Sequence, residues 1–150
     1  TGRSISHPKP SPDGKKLMFT SIAYGNFPVW HEEADLRLLD LATGTIDTLP
    51  AVNSRRSDSY HSWSSEGSWF VFASKRVDNM YGRPYFAYIG NDGRASKPFV
   101  LPQKDPEFYE FSLKSYNIPE LSKGPLPFNA RDVERAFSRL EAEDVGFERK

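Results

Sequence analysis

The side chains in this sequence best suited to bind a metal or act as a base are its three histidines, His7, His31 and His61. They are far apart in the sequence, and His31-Glu32-Glu33 lacks the second histidine of the H-E-x-x-H zinc motif. His7 and His61 occupy near-equivalent places at the starts of predicted strands. Two histidines without further ligands do not make a metal site, so we expect no metal and no cofactor.

A serine, a histidine and an aspartate also occur close together, as in a hydrolase triad. Ser62 or Ser64 could be combined with His61 and Asp58. Neighbouring residues on a β-strand point to opposite faces, so these side chains do not simply converge. The sequence also has neither a G-x-S-x-G elbow nor a Gly-rich phosphate loop. We therefore predict that the protein is not an enzyme.

The composition excludes several classes of protein. The 150 residues include 20 Lys and Arg and 20 Asp and Glu, and this balance argues against a surface that binds nucleic acid or anionic lipid. There is no cysteine, which excludes disulfides and cysteine zinc sites. No apolar run is long enough to span a membrane. Thr1-Gly2-Arg3 resembles the middle of a strand, so we expect a piece of a longer protein.

The elements that position these residues form a tandem repeat. In each of two units a glycine closes a short polar turn between two β-rich runs, which is a strong hairpin signal. Four pairs of identical residues share one separation of 53 positions, which indicates a repeat protein. The pairs are Ser11 and Ser64, Gly14 and Gly67, Phe19 and Phe72, and Ser21 and Ser74.

Each unit contains four short strands, and a four-stranded antiparallel meander in tandem is typical of β-propeller blades. We therefore predict an all-β fold with two blades, at residues 1–50 and 51–102, and a C-terminal extension at 103–150. A helix is expected at about 130–143, with Val133, Phe137 and Leu140 on one apolar stripe. The strands are expected near 5–10, 15–22, 35–41, 45–49, 59–64, 68–75, 84–90 and 96–101.

The two hairpins resemble the TolB-type propeller repeat, whose typical core is W-S-P-D-G, an apolar strand and S-x-R. The matching stretches are S-P-D-G-K-K-L-M-F-T-S and W-S-S-E-G-S-W-F-V-F-A-S-K-R. Pro10 replaces the expected tryptophan in the first unit, and Ser65-Glu66 replaces Pro-Asp in the second. The resemblance implies a periplasmic, non-enzymatic module that binds envelope proteins, including a peptidoglycan-associated lipoprotein.

In a propeller, the loop between the second and third strands and the linker between blades emerge on one face. That face is rich in Trp, Tyr and Arg, the residues that dominate interface hot spots, and we expect a protein partner to bind there with Trp30 as the anchor. Alternatively, Tyr24, Phe27 and Trp30 plug the end of the core. The expected partner-binding residues are Tyr24, Trp30, His31, Arg55, Arg56, Asp58, Tyr81 and Arg83.

The alternative function is a glycan-binding or lyase-type propeller, in which Trp30, Tyr24, Tyr81 and the histidines form a stacking platform. The open blade faces are expected to be covered partly by the segment at 108–140 and partly by self-association. The interface between the two sheets is expected to contain Leu17, Phe19, Phe70 and Phe72.

Overall fold

The computed structural model describes the backbone of residues 2–139 and contains two four-stranded antiparallel sheets, each with its strands in sequence order. The predicted all-β class with two propeller-type blades is confirmed. The fourth strand of each sheet has only two residues. The first sheet contains β1 (Ser4–Pro10), β2 (Lys16–Ile22), β3 (Asp35–Asp40) and β4 (Ile46–Asp47), and the second contains β5 (Asp58–Trp63), β6 (Trp69–Ser74), β7 (Arg83–Tyr88) and β8 (Phe99–Val100).

Among residues 2–139, helical structure is confined to three short elements. A 3-10 turn spans Pro28–Trp30, α1 spans Phe108–Phe111 and α2 spans Ala130–Arg139. The predicted C-terminal helix is present in α2, and the rest of its predicted range lies outside the described residues. Within the part of the chain that the structure describes, no helix is both long and apolar enough to cross a bilayer.

The separation of 53 residues between the two units also holds for their hydrogen bonds. The backbone N–H of Ser11 donates to the Lys16 carbonyl at 2.8 Å, and that of Ser64 donates to the Trp69 carbonyl at 2.7 Å. Each serine hydroxyl oxygen then accepts the returning backbone N–H, from Lys16 at 3.0 Å and from Trp69 at 3.2 Å. The serine therefore closes the hairpin in both units, which explains why both carry it.

A β-bulge interrupts the innermost strand of each sheet at the same place. The register of β1 shifts after Ser6 and that of β5 after Ser59. His7 and Tyr60 occupy the two bulges, both with a φ of 52°, and their rings are in edge contact with centroids 4.5 Å apart. The structural counterpart of His7 is therefore Tyr60, so the prediction that His7 and His61 are near-equivalent is one residue out of register.

The core lies between the two sheets and draws about equally on both. The first sheet and the linker after it contribute aliphatic side chains, whereas the second sheet contributes mainly aromatic ones. Burial of such side chains is the main stabilising contribution in a domain of this size. The core residues are Met18, Leu36, Leu38 and Leu49 from the first unit, Val52 from the linker, and Phe70, Phe72, Tyr85, Ala87 and Ile89 from the second sheet and the residue after β7.

The predicted interface was right for the second sheet and wrong for the first. Phe70 and Phe72 lie in the core, but Met18 rather than Leu17 or Phe19 faces them. Because side chains alternate along a strand, Leu17 and Phe19 lie on the opposite face of β2. Two blades stacked in the same orientation present different faces to their shared interface, so residues at equivalent repeat positions cannot meet there.

The outer face of the second sheet carries an aromatic cluster. The ring centroids of Trp69 and Tyr88 lie 5.1 Å apart, and those of Phe86 and Phe99 lie 5.8 Å apart. Trp69 and Phe99 are exposed. Self-association across this face stays a prediction.

The C-terminal segment is attached to the second sheet at Gly82. The Gly82 N–H donates to the Ser115 hydroxyl at 2.9 Å, and the Tyr116 N–H donates to the Gly82 carbonyl at 2.7 Å. By contrast, Val133 and Phe137 of α2 are exposed. The segment thus contacts the sheet near Gly82, whereas the described apolar stripe of α2 does not cover a blade face.

Candidate functional site

A pocket of about 460 Å³ opens at the end of the molecule where three connecting segments meet. The segments are the loop between β2 and β3, the linker between the sheets and the loop between β6 and β7. We call it the loop pocket. Its lining residues are Val29, Trp30, Glu32, Ser57, Lys75, Asn79 and Met80.

The 3-10 turn at Pro28–Trp30 forms the first wall of the loop pocket. Pro28 occupies the first turn, where a missing N–H costs nothing, and its ring is buried. The Trp30 N–H donates to the Phe27 carbonyl at 3.1 Å, and the His31 N–H donates to the Pro28 carbonyl at 3.0 Å. The buried proline fixes the turn, which leaves the Trp30 side chain 80 % exposed.

The linker forms the second wall and is bonded to both sheets. The Ser57 hydroxyl donates to the Pro28 carbonyl at 3.0 Å, and the Asp58 N–H donates to the Ala34 carbonyl at 2.9 Å. The Asp58 carboxylate is fully buried and accepts from the Arg76 guanidinium at 2.9 Å. This buried, hydrogen-bonded ion pair holds the linker in place next to the pocket.

The first residues after β6 form the third wall. The Lys75 N–H donates to the Ser57 carbonyl at 3.0 Å, and the Lys75 carbonyl accepts from the Asn79 N–H at 2.9 Å. Lys75 is only 8 % exposed, and its ammonium lies 5.0 Å from the centroid of the Trp30 ring. Asn79 has a φ of 61°, a conformation that asparagine tolerates better than most residues.

Several of the predicted partner-binding residues lie together on the loop between β2 and β3. Tyr24 and Trp30 are exposed, which excludes the alternative that they plug the core. The His31 ring is in edge contact with that of Tyr24, with centroids 4.7 Å apart. Arg56 of the linker forms an ion pair with Glu32 of this loop. Arg55 is exposed beside it.

The remaining predicted residues support the loops instead of forming their surface. Burial of Asp58 corrects the expectation that its side chain contacts a partner. The Arg83 side chain is largely buried, where it donates to the Asp78 carboxylate at 2.8 Å and to the Tyr109 carbonyl at 2.9 Å. Tyr81 is half-buried, and its N–H donates to the Asp78 carboxylate at 2.9 Å.

The histidines do not converge on one site. His61 is fully buried, and its Nε2 donates to the Met18 carbonyl of the first sheet at 3.0 Å. Burial lowers the pKa of His61 to about 3, so the ring is neutral at neutral pH. The pKa of His7 is also lowered, mainly by burial and secondarily by the charge of Lys9. Among residues 2–139, no group of three or more His, Asp or Glu is placed to hold a metal ion.

Sequence reasoning missed Lys75 and Met80 as lining residues of the loop pocket. Both follow β6, on the face where the predicted binding loops emerge, and that position is the only signal in the sequence that pointed to them. The contact of Lys75 with Trp30 crosses from one repeat unit to the other. A repeat alignment places these residues in equivalent loops but does not bring them together.

Among solved structures, the chain is similar to that of TolB from Acinetobacter baumannii, with 18% sequence identity and a TM-score of 0.47. The match covers 67% of this chain and 22% of the TolB chain, so this chain spans less than a quarter of that structure. The blade architecture of this chain is defined by the order and register of its own strands. No protein-family model and no curated protein matches the chain.

Proposed function

We propose that this protein is a non-enzymatic module that binds a protein partner through the face around the loop pocket. The observation that carries the proposal is Trp30, whose side chain is mostly exposed although the turn beneath it is fixed by a buried proline. Tryptophan is the residue type most enriched at interface hot spots. An exposed indole on a rigid frame can therefore act as an anchor.

The surroundings of Trp30 support the same function. Met80 of the same pocket and Tyr24 and Phe27 of the same loop are also exposed, and exposed apolar groups on one face favour an interaction site. The hydrogen bond from Ser57 to the Pro28 carbonyl joins two of the pocket walls. A frame that is already ordered loses little conformational entropy on binding, which favours affinity.

The partner and location follow from the resemblance of the repeats to the TolB type. We propose a periplasmic module of the cell envelope, with a role in protein transport, that binds a peptidoglycan-associated lipoprotein and needs no cofactor. The balanced charge of the chain favours recognition by packing over long-range electrostatic attraction.

Isothermal titration calorimetry with the soluble domain of a peptidoglycan-associated lipoprotein tests this proposal. Trp30→Ala is expected to weaken binding at least about 30-fold, since hot-spot truncations cost about 2 kcal/mol or more. The matched control is Phe111→Ala, which removes an exposed aromatic ring from α1 and is expected to leave the affinity unchanged. Thermal melts should be the same for both variants, because both side chains are largely exposed.

Binding that survives Trp30→Ala combined with Arg56→Ala would contradict the proposed face. A titration with pectic oligosaccharides, with and without a divalent metal, tests the glycan alternative in the same instrument. Saturable heat from the sugar that is lost in Trp30→Ala would favour that alternative over a protein partner.

A further inference from the structure

Lys75 lines the loop pocket, and its ammonium has no ionic partner in the part of the chain that the structure describes. The Lys75 backbone is bonded on both sides, to the Ser57 carbonyl and to the Asn79 N–H. Trp30 covers the side chain through a cation–π contact. Within residues 2–139, none of the ion pairs or side-chain hydrogen bonds includes this ammonium.

The other charged residue that lines the pocket, Glu32, is already paired, and so are two acidic residues near it. The Glu32 carboxylate, which also lines the pocket, binds Arg56, and Asp78 binds Arg83. The neighbouring Asp58 binds Arg76. Among the lining residues, and counting only ion pairs within residues 2–139, Lys75 is therefore the charged group left without an ionic partner. The Lys75 residue is largely buried, but its Nζ stays accessible, so an anion that enters the pocket can form a charge-assisted hydrogen bond with it.

The rest of the lining favours an anion carried on an apolar stem. Val29, Trp30 and Met80 are apolar, whereas Asn79 offers an amide that can donate a hydrogen bond. The volume of about 460 Å³ lies within the range of pockets for small organic groups and exceeds what a single carboxylate fills. A glutamate or aspartate side chain with an apolar neighbour matches both the charge and the shape.

We infer that the loop pocket binds a carboxylate of the protein partner, with Lys75 as the charged donor and Trp30 as the apolar wall. This inference rests on the proposed function, because it names the chemical feature that the partner presents to the Trp30 face. The partner is expected to insert an acidic side chain that is flanked by apolar residues.

The direct test is an NMR titration of the full chain with acetyl-Leu-Glu-amide and with its uncharged analogue acetyl-Leu-Gln-amide. The indole N–H signal of Trp30 reports on the pocket, and the indole signals of Trp63 and Trp69 are internal controls. The Glu peptide is expected to shift the Trp30 signal saturably and to bind at least about tenfold tighter than the Gln peptide. Equal binding of the two peptides would overturn the inference.

Two variants test whether Lys75 causes the preference for the Glu peptide over the Gln peptide. Lys75→Met keeps the apolar stem and removes the charge, so its preference for the Glu peptide should disappear. Lys75→Arg keeps the charge and should retain the preference, which a purely structural role of Lys75 would not predict. A preference that is unchanged in Lys75→Met would contradict the assignment. If Lys75→Met does not fold, the comparison of the two peptides on the natural chain still tests whether the pocket binds a carboxylate.

Inorganic phosphate alone distinguishes a carboxylate site from a general anion site. It is expected to cause no saturable shift of the Trp30 signal at peptide concentrations. Phosphate binding as tight as that of the Glu peptide would overturn the carboxylate assignment.

The lipoprotein titration separates failure of this inference from failure of the proposed function. If Trp30→Ala weakens lipoprotein binding but Lys75→Met does not, the carboxylate inference is wrong and the proposed function stands. If the two peptides are discriminated but the lipoprotein binds regardless of Trp30, the carboxylate site stands and the proposed function is wrong.

Discussion

The second sheet carries the buried ion pair of Asp58 and Arg76, whereas the equivalent repeat positions in the first sheet are Ile5 and Ala23. Both sheets nevertheless place a guanidinium on the serine at the end of the second strand. In the second sheet Arg76 Nε donates to Ser74 Oγ at 2.8 Å. In the first sheet Arg3, from the N-terminal end, makes the same bond to the equivalent serine at the same distance.

Both units therefore contain the same serine–guanidinium hydrogen bond, but a different segment of the chain supplies the arginine in each. In the second unit, the arginine also binds the Val52 carbonyl and the buried aspartate, so it connects β6 to the linker. In the first unit, Arg3 binds the Glu33 carbonyl instead. Only the second arrangement stabilises the linker that forms a wall of the loop pocket. Four comparisons between equivalent positions test whether stability depends more on the second sheet than on the first.

The largest expected effect is that of Phe72→Ala compared with Phe19→Ala, its repeat equivalent. Phe72 is fully buried between the sheets, so truncation should leave a cavity and lower the free energy of unfolding by about 3–5 kcal/mol. Phe19 is also nearly buried, at 6 % exposed, but it lies on the opposite face of β2 and outside the core between the sheets, so a somewhat smaller loss is expected. Urea denaturation of the two variants measures the difference, and equal losses would show that the two faces are equally enclosed.

Asp58→Asn tests the buried ion pair directly. Removing one charge leaves the Arg76 guanidinium uncompensated, so the free energy of unfolding should fall by roughly 3 kcal/mol. Asp35→Asn is the control in the first sheet, where the pair with Arg37 is partly exposed and its loss should cost less than about 1 kcal/mol. Chemical denaturation at neutral pH measures the free energy of unfolding of both variants. A smaller loss for Asp58→Asn than for Asp35→Asn would contradict the greater importance of the buried ion pair.

The second sheet should also be the more sensitive to acid, because His61 corresponds to Pro8, which does not titrate. The pKa of His61 is lowered from 6.5 to about 3 by burial. Below pH 6.5 the unfolded chain therefore binds a proton that the folded chain does not, and stability falls as the pH falls. The expected slope is on the order of 1 kcal/mol per pH unit.

Denaturation between pH 6.5 and 5 measures this slope while most carboxylates remain ionised. His61→Gln removes the titrating group and keeps a donor for the Met18 carbonyl, so its slope should be flatter. His7→Gln is the control, and its effect should be smaller because His7 is only half-buried. An unchanged slope in His61→Gln would show that another group causes the acid sensitivity.

The smallest expected difference is between Gly67→Ala and Gly14→Ala at the two hairpin turns. Both glycines have a left-handed φ, of 76° and 70°, so alanine should cost about 1 kcal/mol at either position. A Cβ at Gly67 would also lie 3.3 Å from Cδ of Pro12, whereas Gly14 has nothing within 4 Å. Thermal melts should show Gly67→Ala as slightly the less stable, and the reverse order would contradict the close contact.

The strands and hairpins of this protein could be predicted because their signals are local. Gly14 and Gly67 mark turns that need a left-handed residue, and alternating apolar residues mark the strands beside them. The face around the loop pocket was predicted in outline, since Trp30 and Arg56 do lie on adjoining loops. Lys75 was missed because its role depends on a ring supplied by the other unit.

The number, order and pairing of the strands could thus be predicted from local patterns in the sequence. The sequence did not determine which face of β2 is buried in the interface, because both faces carry large apolar side chains, Met18 on one and Phe19 on the other. The sequence also did not show whether the side chains of Asp58 and Trp30 are buried or exposed. Only the packing of one sheet against the other decides these points, because burial depends on residues that are distant in the sequence and brought together by the fold.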